Sequence, residues 1–532
     1  MTSPSRKGNS ADQPYDLFVI GGGINGCGIA RDAAGRGLKV GLAEMNDLAS
    51  AASSSSTKLF HGGLRYLEYF EFRLVREALI EREVLLRNMP HISWPMRFVL
   101  PYHSEMRFES TTPLSRLLGV LLPWLKGRRP SWLIRLGLFL YDHLGGRKIL
   151  PATRVVNLNQ DQTGTPLNDH FHHAFEYSDC WVEDSRLVVL NARDAHLRGA
   201  DIMTRTKVIS AKRQHGLWQI EAKVGDGKKP LYFYAKAMVN AAGPWVENII
   251  SQSTNPSPKG QLRLVRGSHI ITKKLFDHDH AYFLQGNDGR IIFAIPYEQD
   301  FTLIGTTDVD HPNAGEKPVC SEEEQTYLCD FASQYFKTPI RQTDIVATFS
   351  GLRPLYNDGT GQASAATRDY VLKLDQENGA PLLNVFGGKI TTYRKLAESV
   401  LQKLAPFYEG LGKSWTAEAP LPGGDFPHDG VDDLIDQIHQ QHPYLPEGLA
   451  RRMARAYGTD TFTILDGKAD VADLGEDFGH GVFVAELNWV MDHEWVMTVE
   501  DFIWRRTKLG LVLSPDAVKK IAAYIHAYQT HG

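Results

Sequence analysis

Apolar and polar positions follow two different periods along the chain, and the change between the periods separates its regions. The apolar run Tyr15-Asp-Leu-Phe-Val-Ile20 predicts a buried strand, and Lys39 to Glu44 predicts a second strand. The residues between these two runs have the pattern of a helix. Strand, helix and strand in this order predict a βαβ unit near the start of the chain.

The later regions of the chain differ in their pattern of apolar and polar residues. An amphipathic helix with charges of both signs on its polar face is predicted from Phe72 to Met89. From about 200 to 310, short runs between Gly, Asp and Asn turns predict an antiparallel sheet: 217–222, 281–284, 290–295 and 301–305. After about Arg394 helical patterns dominate, for example at 449–457, 482–492 and 516–528, and the Pro/Gly stretch 420–424 is the expected linker.

Glycines follow the first predicted strand directly. Gly21, Gly23 and Gly26, with Ile24 and Asn25 between them, have the GxGxxG spacing that lets a backbone approach a pyrophosphate. Glu44 lies at the end of the second strand, where the ribose of a dinucleotide needs an acceptor. Such glycines also occur in turns that serve packing alone, and the motif does not separate FAD from NAD.

Composition limits the classes of function. The 532 residues are 42% hydrophobic and 23% charged, which is typical of a globular protein large enough for two or three domains. A net charge of −4 and the lack of a nucleic-acid motif argue against binding of nucleic acid. The four cysteines have no metal-binding spacing, so no metal site is expected. Residues 1–14 are polar and predict a flexible tail rather than a signal peptide or membrane anchor.

The segment from Ser115 to His143 contains two apolar runs, 117–125 and 132–141, separated by Lys126, Arg128 and Arg129. Each run is too short to cross a hydrocarbon layer of about 30 Å. Tryptophans beside cations are typical of a segment that lies in a membrane surface. The alternative is a pair of buried core helices, and the composition favours membrane contact only slightly.

Several longer motifs carry a resemblance to a known family. They are Lys58-Leu-Phe-His-Gly-Gly-Leu-Arg-Tyr-Leu67, Gly267-Ser-His269, Ile304-Gly-Thr-Thr-Asp308, Gly351-Leu-Arg-Pro354, Thr367-Arg-Asp-Tyr370, Phe386-Gly-Gly-Lys-Ile-Thr-Thr-Tyr-Arg394 and Asp473-Leu-Gly-Glu-Asp-Phe-Gly479. In these motifs, and in their order along nearly the whole chain, the sequence resembles the aerobic, FAD-dependent glycerol-3-phosphate dehydrogenases of bacteria. The resemblance implies FAD rather than NAD.

The family implies a fold of the α/β plus α class. We expect a Rossmann-like FAD-binding βαβ domain with an inserted antiparallel substrate-binding sheet, as in glycine-oxidase-like flavoproteins, and a helical C-terminal domain. The expected bounds are 15–410 for the interleaved FAD and substrate domains, with the substrate sheet mainly at 90–195 and 255–355, and 411–532 for the helical domain. The implied reaction oxidises sn-glycerol 3-phosphate to dihydroxyacetone phosphate, with a hydride passed to the flavin and electrons then passed to a membrane quinone.

The resemblance also implies a substrate pocket rich in cations. Arg65, Arg353 and Arg368 lie in motifs that line this pocket, and guanidinium forks suit a dianionic phosphate. Tyr66 offers a neutral hydrogen bond to phosphate or hydroxyl. Lys389 is expected to contact substrate as well as flavin.

One group must accept the proton of the substrate hydroxyl. A neutral imidazole suits this role near pH 7, and His269 is the first candidate for the base. His61 is a second candidate, although its His-Gly-Gly motif also suits a turn beside the flavin. The sequence leaves open a transfer without a His base, in which Arg353 or Lys389 lowers the hydroxyl pKa.

Further residues are expected to hold FAD. Gly388, Lys389, Ile390 and Thr391 belong to the motif beside the isoalloxazine, where a cation would stabilise the anionic reduced flavin. The hydroxyl run at 53–57 suits hydrogen bonds to pyrophosphate and flavin edges. The remaining expected contacts are Ser54, Ser55, Ser56, Thr57, Lys207, Val208, Ala241, Ala242 and Gly243. Ala242 stands where the family often has threonine, which should matter little because the backbone makes the approach.

The expected partners are sn-glycerol 3-phosphate, a quinone and a membrane surface that 116–141 contacts. The resemblance places the protein peripherally at the cytoplasmic face of the bacterial inner membrane, and a homodimer is an expectation from the family alone. No acidic EF-hand loop is present, so calcium control is not supported. An oxidase that reduces O₂ on the same scaffold is the nearest alternative, and a catalytically silent, membrane-recruited flavin-binding protein is a more remote one.

Overall fold

The computed structural model describes residues 8–103, 106, 112–114, 130–146, 148–227, 229–253, 262–286, 290–357, 369–376 and 379–531, without the side chains of Arg65 and His531. The strands, numbered in chain order, are β1 Tyr15–Ile20, β2 Val40–Ala43, β3 Leu59–Phe60, β4 Ser93–Tyr102, β5 Arg154–Asn157, β6 His173–Val182, β7 Asp201–Met203, β8 Thr206–Gln214, β9 Leu217–Val224, β10 Leu231–Asn240, β11 Leu262–Lys273, β12 Ala281–Gln285, β13 Ile291–Tyr297, β14 Phe301–Gly305, β15 Val309–Asp310, β16 Ile345–Tyr356, β17 Val371–Asp375 and β18 Leu382–Phe386.

The described α-helices are α1 Ile24–Gly35, α2 Phe72–Asn88, α3 Ser131–Leu144, α4 Asp184–Leu197, α5 Val246–Ser251, α6 Glu322–Ser333, α7 Tyr393–Leu404, α8 Val431–Gln441, α9 Leu449–Tyr457, α10 Asp460–Leu465, α11 Val484–His493 and α12 Pro515–His531. Short 3₁₀ turns lie at Ala52–Ser54, Leu64–Tyr69, Gly243–Trp245 and Ile390–Thr392, and a π-helical turn lies at Asp501–Arg506.

The first sheet has the order β17-β18-β10-β1-β2-β7, and β9 and β8 extend from β10. Strand β1 lies between β10 and β2 and pairs with both in parallel, so Leu17 faces Ala237 on one side and Val40 on the other. Helices α1, α4 and α7 cover one face through a common apolar cluster. This is a Rossmann-like nucleotide-binding arrangement, and it confirms the predicted βαβ unit.

The second sheet is larger and holds ten strands in the described chain, in the order β15-β11-β14-β13-β12-β4-β6-β3 with β16 beside β11 and β5 beside β6. Most pairs are antiparallel, as predicted, but β4 and β12 pair in parallel through Phe98 and Ala281. The sheet is therefore mixed, because its two halves come from distant segments that meet only in the fold. The run 217–222 was predicted with these strands but belongs to the first sheet, where β9 pairs with β10.

From α8 onward, the regular secondary structure of the described residues is helical, and this segment is the helical C-terminal part. The helices of this part close around a separate apolar core that includes Leu434, Met453, Leu487, Phe502 and Ile521, whereas α7 packs on the first sheet. The helix predicted at 449–457 has those bounds, and those predicted at 482–492 and 516–528 lie within two to three residues of α11 and α12. The predicted fold class is confirmed: an α/β flavoprotein-type body is followed by a helical C-terminal part.

Only the second half of the predicted membrane-contact segment falls within the described residues, since 115–129 lie outside them. Helix α3 buries Leu138 and Tyr141 against α2 and the second sheet but exposes about half of each of Trp132, Leu136 and Phe139. These three residues share one helix face because they are three to four positions apart. Among the described helices, none is long and apolar enough to span a membrane.

Candidate active site

A cavity of about 570 Å³ lies between the two sheets. It begins at the carboxyl ends of β1, β2 and β10, where Gly21, Glu44 and Ala241 line it, and it extends to the second sheet at His269 and Arg353. In open parallel sheets the carboxyl edge is the usual place for a ligand. The cavity thus joins a nucleotide-type edge to a surface that carries titratable groups.

The glycine loop after β1 leaves no room for side chains. Gly21 has φ +112°, and a Cβ there would lie 2.5 Å from the carbonyl oxygen of Ala241. A Cβ on Gly26 would lie 1.9 Å from the carbonyl oxygen of Gly21. Helix α1 begins here after a glycine N-cap, which has no side chain to cap it, and has no acidic residue in its first turn, so its N-terminus favours an anion. The loop fits the pyrophosphate of a dinucleotide.

Glu44 organises the end of β2. The backbone N–H of Gly22 donates to Glu44 Oε2 (2.7 Å), and that of Asn46 donates to Oε1 (2.8 Å). Burial raises the pKa of Glu44, and the two hydrogen bonds oppose this rise. Each carboxylate oxygen has a second lone pair, so Glu44 can still accept a ribose hydroxyl.

The hydroxyl run is folded against helix α4. The backbone N–H and the hydroxyl of Ser56 both donate to Asp184 Oδ2 (3.2 and 2.7 Å), and Ser53 Oγ accepts from the backbone N–H of Ile24 (3.0 Å). Lys58 is buried with its Nζ 2.8 Å from Asp184 Oδ1 and 3.1 Å from the carbonyl oxygen of Ser54. Sequence reasoning assigned no role to Lys58 or Asp184. The available signal was a lysine placed directly after a run of hydroxyls.

His269 is almost completely buried on β11, with Gly305 of β14 and Phe349 of β16 as its register partners. Its ring stacks on Phe349, with 4.7 Å between centroids, and its Nε2 lies 3.0 Å from Thr57 Oγ1. Its Nδ1 has no hydrogen-bond partner among the described residues. Burial holds the pKa of His269 well below its ordinary value, and the cations of Arg353 and Lys58 lower it further. The imidazole is therefore neutral at pH 7.

Arg353 lies on β16 beside the same part of the cavity. Its guanidinium donates to Thr306 Oγ1 (2.9 Å) and to the carbonyl oxygen of Thr307 (3.3 Å), and it forms an ion pair with Asp308. About a third of the side chain is exposed. A Cβ on Gly267 would lie 2.4 Å from the guanidinium, so the glycine makes room for it. A cation and a neutral imidazole thus share one end of the cavity.

The Gly-Gly-Lys motif at 387–389 follows β18 and lines the same cavity as His269 and Arg353. Gly388 has φ +104°, and the Nζ of Lys389 lies 3.6 Å from the ring centroid of Tyr66. Asn25 Nδ2 donates to the carbonyl oxygen of Gly387 (3.1 Å), which ties α1 to this turn. The Oδ1 of Asn25 is buried and has no hydrogen-bond partner in the described part of the chain. A ligand that donates a hydrogen bond would complete this arrangement.

Most of the residues predicted from the sequence line the cavity: Gly21, Gly23, Ile24, Asn25, Glu44, Ser55, Ser56, Thr57, Tyr66, Lys207, Val208, Ala241, Ala242, Gly243, His269, Arg353, Gly388, Lys389 and Ile390, together with His61. Gly26, Ser54 and Thr391 are not part of the lining; Thr391 Oγ1 instead accepts from the backbone N–H of His61 (3.3 Å). The side chain of Arg65 and all of Arg368 lie outside the described residues.

A buried charged group lies at another side of the cavity and was not foreseen. Asp179, which lines the cavity, pairs with Arg82 at 2.6 Å and accepts the hydroxyl of Tyr141 at 2.8 Å. Burial raises the pKa of Asp179 to about 6, against the lowering effect of Arg82. Tyr141 belongs to α3, and its hydroxyl accepts from the backbone N–H of Gly62 (2.7 Å). The partly exposed helix is therefore bonded directly to a wall of the cavity.

Comparison with known proteins agrees with this geometry. Residues 16–394 match the FAD-dependent oxidoreductase family (DAO), and 414–530 match the C-terminal domain of alpha-glycerophosphate oxidase. The chain is 49% identical to a D-erythritol 1-phosphate dehydrogenase of Brucella abortus, over 94% of this chain and 95% of that protein. It is also 49% identical to a glycerol-3-phosphate dehydrogenase of Pseudomonas aeruginosa, over 97% and 96%.

A solved structure of the glycerol-3-phosphate dehydrogenase from Bacillus halodurans, complexed with FAD, has the same architecture. It superimposes with a TM-score of 0.72 at 25% identity and covers 97% of this chain and 95% of its own. FAD as the cofactor, implied by the sequence motifs, is thereby confirmed over NAD. By motifs, fold and cavity together, the chain belongs to the FAD-dependent oxidoreductase family, in its glycerol-3-phosphate dehydrogenase branch.

Proposed function

We propose that this protein is a quinone-linked dehydrogenase that oxidises sn-glycerol 3-phosphate to dihydroxyacetone phosphate. The observation that carries the proposal is the convergence of neutral, buried His269 and the Arg353 cation on a cavity that starts at a pyrophosphate-type glycine loop. A polyol phosphate needs a base for its hydroxyl and a cation for its phosphate, and this end of the cavity offers both.

The residues that would hold FAD divide by chemistry. The glycine loop and the N-terminus of α1 suit the pyrophosphate, Glu44 suits the ribose, and Lys207 and Val208 line the adenine end. The Gly388 turn permits close approach to the isoalloxazine, and Lys389 supplies a positive charge beside it. When bound, FAD accepts the hydride that leaves the carbinol carbon.

His269 is the proposed base. Its pKa lies well below the ordinary value, so the ring is available to take the hydroxyl proton across the neutral range. The 3.0 Å contact with Thr57 and the stack on Phe349 fix its orientation. The alternative is a transfer in which Arg353 or Lys389 lowers the hydroxyl pKa, and the kinetic test in the Discussion separates the two.

Phosphate recognition is assigned to arginines. Arg353 would exchange its ion pair with Asp308 for the substrate phosphate, since half of the Asp308 side chain is exposed and can be solvated. Arg65 and Arg368 are proposed as further phosphate ligands on the strength of their sequence motifs alone. Tyr66, held against Lys389, lies where it can donate to phosphate or hydroxyl.

The exposed surface of α3 supports the proposal of a peripheral membrane site. Phe70 and Phe72 are also partly exposed, just before and at the start of α2, and α3 packs on α2 and on the turn before it. An exposed apolar patch of this kind marks an interaction site, and contact with a bilayer suits an enzyme that reduces a membrane quinone. The proposed location is the cytoplasmic face of the bacterial inner membrane.

The test is spectroscopic. The full chain is purified in detergent, its flavin spectrum is recorded, and sn-glycerol 3-phosphate is added without oxygen. We expect the flavin to bleach and to recover faster with a quinone analogue than with oxygen. Faster recovery with oxygen would favour the oxidase, and an unbleached flavin would refute the substrate. D-erythritol 1-phosphate must be compared in parallel, because a relative at 49% identity is named for that substrate.

A further inference from the structure

The helical C-terminal part packs against the loop after β2, which contains Asp47. None of its described residues lines the cavity. Two of its arginines nevertheless reach Asp47, which is fully buried just after β2. Arg506 forms a paired contact with Asp47: its Nη1 lies 2.8 Å from Oδ2, and its Nη2 lies 2.8 Å from Oδ1. Arg505 Nε lies 2.5 Å from Oδ2 of the same carboxylate.

Asp47 does not line the cavity itself but lies in the loop between residues that do. Glu44, three residues earlier, lines the cavity, and so do Ala49 and Ser50, which follow. The backbone N–H of Ala49 donates to the carbonyl oxygen of Gly22 (3.1 Å), so the loop is also bonded to the glycine loop. Any shift of Asp47 is therefore transmitted to both the ribose acceptor and the pyrophosphate loop.

A second contact reaches the neighbouring wall. Asp501, also fully buried, accepts from Arg205 Nη2 at 2.7 and 2.8 Å and pairs with Arg505. The backbone N–H of Arg205 donates to the carbonyl oxygen of Asn46 (2.8 Å), and Lys207 lines the cavity two residues later. The same C-terminal turn, Asp501–Arg506, thus holds the loop after β2 and the start of β8 together.

These ion pairs are the kind whose disruption has large effects. Removing one member of a buried pair leaves its partner charged and without compensation, so the partner moves or becomes hydrated. Here the partners are Asp47 and Arg205, which lie next to residues that line the cavity and not in the core of the C-terminal helices.

We propose that Asp501, Arg505 and Arg506 are positioning residues for FAD: the C-terminal part holds the adenosine-side walls of the cavity in the conformation that binds the cofactor. The inference rests on the FAD site proposed above and does not depend on the choice of substrate. It assigns a role to the helical C-terminal part, which has its own apolar core and contributes no described residue to the cavity lining.

The test measures FAD affinity in the full chain. The flavin is removed, and FAD is titrated into the apoprotein while the quenching of flavin fluorescence is followed. Arg205→Ala is the main variant because a quarter of this side chain is exposed, which makes folding tolerant of its loss. Asp501→Asn is the second variant. We expect each to raise the Kd for FAD about tenfold or more, since a charge-assisted contact to the wall is lost.

Asp460→Asn is the matched control. Its partner Arg193, 2.6 Å away, joins α4 to the C-terminal part through another ion pair that does not touch the loop after β2. This variant should lower the melting temperature of the apoprotein but leave the Kd for FAD within about twofold of wild type.

Two results would overturn the inference. The first is that Arg205→Ala and Asp501→Asn bind FAD with a Kd within about twofold of wild type. The second is that Asp460→Asn weakens FAD binding as much as they do, which would mean that any loss of contact with the C-terminal part weakens FAD binding, whichever ion pair is removed. Gly26→Ala tests the FAD site itself, because its Cβ would lie 1.9 Å from Gly21 O. If this variant kept full FAD affinity, the proposed cofactor site would be wrong independently of the arginine contacts.

Discussion

Replacing His269 by glutamine is the most direct test of the proposed chemistry. Glutamine is close in size to histidine and keeps a side-chain amide that can bond Thr57 Oγ1, which lies 3.0 Å from the imidazole. It cannot accept a proton near neutral pH. The substitution therefore removes proton acceptance while it preserves most of the packing against Phe349.

The expected loss follows from the state of the imidazole. Because burial and two nearby cations hold the pKa of His269 well below its ordinary value of 6.5, essentially every enzyme molecule carries the free base at pH 7. A positioned general base contributes roughly 100-fold to 10,000-fold, or about 3–5 kcal/mol of barrier. We expect His269→Gln to lower kcat by at least about 100-fold and to leave FAD bound.

The assay is the rate of flavin bleaching by sn-glycerol 3-phosphate in single turnovers, with flavin absorbance as the measure of retained cofactor. In wild type, the rate should persist as pH falls below 6.5 and decline only where the imidazole takes up a proton. Thr57→Val, which loses the hydroxyl that orients the imidazole but keeps His269, should lower the bleaching rate less. A bleaching rate for His269→Gln within a few-fold of wild type would refute the base and favour the cation-assisted transfer.

Three further outcomes are expected. Arg353→Ala should raise KM for the phosphate substrate about 10-fold to 100-fold if it binds phosphate, because a charged hydrogen bond is worth about 1.5–3 kcal/mol; a fall in kcat at unchanged KM would assign it to the hydroxyl instead. The double variant Trp132→Ala, Phe139→Ala should bind anionic vesicles with an affinity at least about tenfold lower in a sedimentation assay. Leu197→Ala, which changes a similarly exposed residue elsewhere, should keep the wild-type affinity. Equal losses of affinity would show that α3 does not contact the membrane. His91 is fully buried, and its pKa lies well below 6.5, chiefly because of burial and also because of the nearby charge of Arg186. The unfolded chain therefore binds more protons at this residue than the folded chain does. As a result, the free energy of unfolding should fall as pH drops below 6.5. His91→Leu should flatten that fall in urea titrations compared at about pH 5 and about pH 8, and an unchanged slope would contradict this account.

Local sequence determined the elements whose cause is local. The apolar run at 15–20 and the glycines behind it specify β1 and its turn, because only residues without Cβ tolerate the contacts at Gly21 and Gly26. The helix at Leu449–Tyr457 followed from its amphipathic period in the same way. The family motifs identified FAD, since they are long enough to be specific.

Only the tertiary structure decided what depends on distant segments. The residues near Lys58 in the chain do not predict its ion pair with Asp184, which lies 126 positions away. The parallel pairing of β4 with β12 and the membership of β9 in the first sheet also depend on which edges meet, and a strand's alternation carries no information about its neighbour. The low pKa of His269 arises from burial and from the cations of Arg353 and Lys58, which belong to distant segments, so the sequence could suggest the histidine but could not show that it is neutral. The contacts of Arg505 and Arg506 with Asp47 join residues more than 450 positions apart, and such coupling is set by packing rather than by local sequence pattern.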